Sequence, residues 1–163
     1  MVMEGLDSSV AKEKIKWDII GHSGDSRYIP LSLGENPPSN DKERYKVLQQ
    51  TASYPQFCFP GDYTIEATRE CIRRLAAEED ADERFLIVLT DANLDRYGIP
   101  IKTLRDSLDL DKTVNTCVVA IGSLGDQAER MKDGLPAGRS FIVEDTSEVP
   151  KVLRTFFQST VLA

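Results

Sequence analysis

A chain of 163 residues, 40% of them hydrophobic, is long enough to bury one core and suits a single domain over residues 1–163. Its net charge of −7 argues against nucleic-acid backbones and anionic membranes as partners.

In chain order, Met1, Val2, Met3 and Leu6 read as the last turns of an amphipathic helix stopped near Gly5. Residues 16–21, KWDIIG, read as a strand, and the turn-rich HSGDS follows. Tyr28 to Leu33 is a second short strand, and Pro30 makes it an edge candidate. Asn40 with Glu43 is a capping-box-like start, and Tyr45, Leu48 and Ala52 follow at helical spacing. SYPQFCFPGDY then reads as a loop, and Ile65, Thr68, Ile72, Leu75 and Ala76 mark one face of a second helix.

Phe85 to Leu89 is an unbroken apolar run, the pattern of a parallel strand buried on both faces and central to its sheet. Pro100 precedes Ile101, Leu104 and Leu108, a helix with proline in its first turn. Thr116 to Ile121 is another doubly buried strand. Ala128, Met131 and Leu135 mark a short helix ended near Gly134, and Ser140 to Val143 is the last strand. Asp145 with Glu148 caps a closing helix of Val149, Val152, Leu153, Phe156 and Phe157. Strands alternating with helices predict an α/β, doubly wound, mostly parallel sheet.

Cys58, Cys71 and Cys117 form no CxxC pair and are odd in number, which suits packed thiols or a reducing compartment. No spacing combines them with His22 into a zinc site. The chain has no apolar run of about 18 residues, the length a membrane helix needs. MVMEGLDSS lacks a basic n-region and a long apolar core, and it is too acidic for a transit peptide.

Enzyme motifs fail on chemistry. Gly21-His22-Ser23-Gly24-Asp25 approaches a nucleophile elbow, but Asp25 stands where that turn needs glycine. His22 is the single histidine and adjoins Ser23, whereas a serine's base reaches it from a separate element. A small doubly wound hydrolase using Ser23 and His22 is the alternative function, and a cysteine–histidine pair is remoter still. GIPIKT lacks the glycines of a phosphate-binding loop, and Gly122-Ser123-Leu124-Gly125 is a weak anion-binding turn.

An oxygen-donor pair remains. Gly61-Asp62-Tyr63-Thr64 opens a helix, and Thr90-Asp91 ends the apolar strand, where ligands of open α/β sheets collect. A hydroxyl and a carboxylate on adjacent loops suit Mg²⁺. Asp62 or Thr64 as a helix cap, and Asp91 as a turn residue, are the structural alternatives.

WDIIGHSGD, QFCFPGDYTIEAT, FLIVLTDANLDRYGI, IGSLGDQAERM and LPAGRSF together cover most of the chain. They resemble a von Willebrand factor A (VWA) domain. More narrowly, the chain is similar to the C-terminal VWA domain of the large mitochondrial dynein-related (MoxR-like) AAA+ ATPases. The resemblance implies a protein-interaction module and a metal-ion-dependent adhesion site. There a divalent ion is completed by a partner's acidic side chain, with Thr64 and Asp91 as two of its ligands. It also implies a mitochondrial location, and as partner either an acidic-residue-bearing protein or the ATPase ring.

The DxSxS loop that should supply the other ligands is absent, and Asp7-Ser8-Ser9 has the wrong spacing. The expectation is an N-terminally truncated VWA domain without the first central strand. It would hold an incomplete Mg²⁺ site, lack any catalytic centre, and act as a metal-independent interaction protein or, as a truncated fragment, have no function.

Overall fold

The computed structural model describes residues 14–91, 93–122 and 126–161, and it divides between Tyr63 and Thr64 into two compact units. The helix read over residues 1–6 and the 123–125 part of the glycine turn lie outside the described residues.

In the first unit, β1 (Ile19–Gly21) and β2 (Ile29–Ser32) pair antiparallel, with Ile20 opposite Pro30 and Gly21 opposite Ile29. Among the described residues β2 has only β1 as neighbour, an edge position that accommodates Pro30. The Asp18 carboxylate accepts the Gly34 N–H at 2.6 Å.

Helix α1 spans Asp41–Phe57. The Asn40 side chain accepts the Glu43 N–H at 3.1 Å. The Glu43 carboxylate reaches back to the Ser39 N–H at 2.7 Å, one residue before the cap. Residues 53–57, expected as loop, continue this helix with Pro55 inside it. The hydroxyls of Thr51 and Ser53 donate to carbonyls four residues earlier, at 2.8 and 2.7 Å, a bonding pattern compatible with helix. Pro55 lies in the last turn, where it has no N–H to offer the carbonyl four residues earlier, and the Cys58 N–H still closes on the Tyr54 carbonyl at 3.1 Å.

The second unit alternates helix and strand. Its elements are α2 (Thr64–Ala76), β3 (Phe85–Thr90), α3 (Ile101–Leu108), β4 (Asn115–Ile121), α4 (Asp126–Gly134), β5 (Ser140–Val143) and α5 (Val149–Val161). The three strands are parallel in the order β3-β4-β5. Side chains of β4 alternate between two cores, as pleating requires. Val118 and Ala120 meet Ile65, Leu104, Leu108 and Met131 from α2, α3 and α4. Cys117 and Val119 meet Val149 and Phe156 of α5, so helices cover both faces.

β4 is therefore the doubly buried strand that its sequence predicts. Among the described residues β3 ladders only to β4, the open edge expected of a sheet without its first central strand, and Leu89 is 50% exposed. An apolar run reports facial burial, whereas a strand's place in its sheet depends on distant partners. Phe85 to Val88 are covered: the Phe85 ring makes edge contacts with Phe156 and Phe157 at 5.9 and 5.0 Å. The cap of the closing helix forms as a 3₁₀ turn over Thr146–Glu148, with Asp145 accepting the Ser147 N–H at 2.7 Å.

Candidate functional site

Thr64 is the first residue of α2, and Asp91 directly follows β3. The short link 77–84 turns the chain back, so α2 runs against β3 and its first turn lies toward the carboxyl end of that strand. Ile65 joins one core with Val88 and Leu94, which flank Asp91 in sequence. Both predicted ligand positions thus belong to the carboxyl edge of the parallel sheet, the binding edge of such folds.

Their environments differ. Thr64 is 1% exposed, with less than 1 Å² of its hydroxyl oxygen reaching solvent. Asp91 is exposed. Mg²⁺ requires a near-octahedral oxygen shell and binds through carboxylates it can reach. One exposed carboxylate and one solvent-inaccessible hydroxyl do not fit that ion as they stand. Among the described residues no three His, Cys, Asp or Glu side chains converge on a metal position.

The GHSGD turn belongs to the first unit, and its serine is engaged locally. The Ser23 hydroxyl donates to the Asp25 carboxylate and accepts the Ser26 N–H at 3.2 Å, while the Ser23 N–H meets the Ser26 carbonyl at 2.8 Å. Gly24 explains the motif better than the serine does. A Cβ there would lie 2.6 Å from the backbone of Phe59 and Pro60. A Cβ on Gly61, whose φ is +154°, would lie 2.7 Å from the Gly24 Cα. Two backbone segments cross at these glycines, and neither tolerates a side chain there.

The opposite edge carries a polar cluster that element-by-element reading missed. Arg139 precedes β5 and gathers the ends of α3 and β4. Its guanidinium donates to the Leu108 carbonyl at 2.8 Å, the Thr116 carbonyl at 3.2 Å, the Asp109 carboxylate at 2.5 Å, and the Thr116 hydroxyl. Leu108 closes α3, so this cation lies at a helix C-terminus, where the backbone dipole favours it. The hydrogen bond from Lys112, then that from Arg139, holds the Asp109 carboxyl below the usual range. Burial pushes the nearby Cys117 thiol up to about 12. The signal was present in LPAGRSF, but nothing local to that motif names its partners.

No protein-family model matches the chain. Over all 163 residues it is 46% identical to von Willebrand factor A domain-containing protein 8 of Mus musculus, of which it spans 8%. The crystal structure of conserved hypothetical protein BatB from Bacteroides thetaiotaomicron resembles it with a TM-score of 0.62. That likeness covers 99% of this chain and 85% of the other at 16% identity, and it bears on the fold alone. Whole-length identity to a VWA domain-containing protein and a parallel sheet covered by helices on both faces together identify the chain as VWA-type.

Proposed function

We propose that this chain is the protein-binding VWA module of a mitochondrial AAA+ ATPase, organised as one domain and without a catalytic centre of its own. One observation carries the reading: the 46% identity runs through every part of the chain yet matches 8% of a far longer relative. A segment of that kind works on, or for, the rest of a large polypeptide. The ATPase ring is the foremost partner, and a protein presenting an acidic side chain is the second.

Thr64 and Asp91 are the metal ligands that the VWA resemblance assigns. Their burial and exposure support only weak Mg²⁺ binding by this chain, on the order of millimolar or weaker.

The test uses the purified chain on a surface and the Mus musculus relative lacking its matching segment in solution. Saturable binding is expected, and its persistence in EDTA would agree with a poor metal shell. Absence of saturable binding would overturn the reading. Assays with generic ester and phosphoester substrates should give no turnover, and turnover lost in Ser23→Ala would replace the binding module with the hydrolase.

A further inference from the structure

Charged residues make up 29% of the chain, yet between Tyr45 and Gly61 Lys46 is the single one. This stretch is most of α1 and its exit. The helix contains no buried residue, and of its seventeen residues only Arg44 and Val47 are half-buried. Tyr45, Leu48, Ala52 and Pro55 recur at i, i+3, i+7 and i+10 and therefore share one face. Tyr45 is 60% and Leu48 57% exposed, and beyond them Phe57 and Phe59 reach 82% and 73%.

A helix of a globular protein is held chiefly by packing its apolar face. Here that face is turned outward, rich in aromatic residues and almost uncharged, the composition of an interface core. The chemistry narrows the occupant. A nucleic acid or an anionic membrane needs clustered Lys and Arg, which the stretch lacks. A charged partner surface buried here would find no counter-charge. Two copies of the chain, each at −7, repel as they approach. What fits is an uncharged apolar groove on another protein region, receiving α1 through helical anchors.

We propose that the Tyr45–Leu48 face of α1 docks into such a groove elsewhere in a long VWA-containing polypeptide. The source follows from coverage: the relative matched by the whole chain extends far beyond the matched 8%. This inference rests on the binding-module reading and assigns that module a contact surface distinct from Asp91.

The experiment measures binding of the full chain to the Mus musculus relative lacking its matching segment, using wild type, Leu48→Glu, Tyr45→Ala and, as an exposed control on another helix, Lys151→Ala. Leu48→Glu should weaken binding at least tenfold, Tyr45→Ala severalfold, and Lys151→Ala less than twofold. All three variants should melt within about a degree of wild type, since exposed substitutions leave stability nearly unchanged. Wild-type binding that Leu48→Glu leaves intact overturns the inference while sparing the binding module. A large loss of melting temperature in both Tyr45→Ala and Leu48→Glu overturns it too, because the face would then be packed within the chain. Sedimentation of the wild type as a dimer that Leu48→Glu dissociates reassigns the face to a second copy. No binding by the wild type overturns module and surface together.

Discussion

Arg139 and Asp109, thirty residues apart in sequence, meet at 2.5 Å at the end of the sheet opposite the candidate site. The same guanidinium bonds the carbonyls of Leu108 and Thr116, so one side chain joins the last turn of α3 to the start of β4. Removing it takes the charged donor from these acceptors, although the Thr116 hydroxyl still reaches the Leu108 carbonyl at 3.1 Å and Lys112 the Asp109 carboxylate at 2.9 Å. Arg139→Ala should cost about 1.5–3 kcal/mol in urea unfolding, the range for hydrogen bonds to a charged group. Arg139→Lys should recover little, because an ammonium cannot span the same fork of acceptors. A full recovery by lysine would reduce the contact to a simple charge.

Acid should destabilise the chain through groups that can be named. Asp109 titrates below its ordinary value because of Lys112 and then Arg139. Asp145 does so because of Ser147 and Glu43 because of Ser39. A carboxyl depressed in the folded state binds fewer protons there than when unfolded. Its contribution is therefore present above its unfolded value near 4 and lost as pH falls through its folded one. Melting temperature should decline below about pH 5, and Asp109→Asn should flatten that decline. An unchanged acid limb in Asp109→Asn would remove the pair from the account.

Cys117 bears on the alkaline limb. Its thiol stays protonated up to about 12 when folded, whereas an ordinary thiol ionises near 9. The unfolded chain thus loses a proton first, and stability should fall as pH rises from about 9 toward 12. Native protein should react with thiol reagents at Cys117 only as fast as it unfolds. Labelling of Cys117 at a rate matching half-buried Cys58 and Cys71 would contradict its burial.

Substitution at the glycine crossing should be costly without touching any functional group. Gly24→Ala places a methyl against backbone that cannot swing aside, an overpacking of about 1–3 kcal/mol. Gly61→Ala adds the strain of its positive φ. Because both alter one contact, the double variant should lose less than the sum of the singles. Strict additivity in denaturant melts would show that the two glycines act separately.

Magnesium should have little effect on this chain. With millimolar affinity or weaker, about 1 mM Mg²⁺ adds no more than about 0.4 kcal/mol. Scanning calorimetry should show a shift of about a degree at most, the same in Asp91→Ala. A clear stabilisation that disappears in Asp91→Ala would restore the adhesion site.

The local pattern of residues determined most elements of the second unit. β4, β5 and α5 fall where apolar runs, period and caps place them, because burial and capping act within a few residues. VWA motifs were likewise legible, and whole-length similarity agrees with them. Tertiary structure decided what depends on distant partners. It made β4 the middle described strand, between β3 and β5, since an apolar run says nothing about who lies beside it. It carried α1 through Pro55, and it gave Arg139 partners from two other elements. It also separated the environments of Thr64 and Asp91, one hydroxyl sealed and one carboxylate exposed. Spacing in sequence names candidate ligands, but solvent access to each oxygen is set by the packing around it.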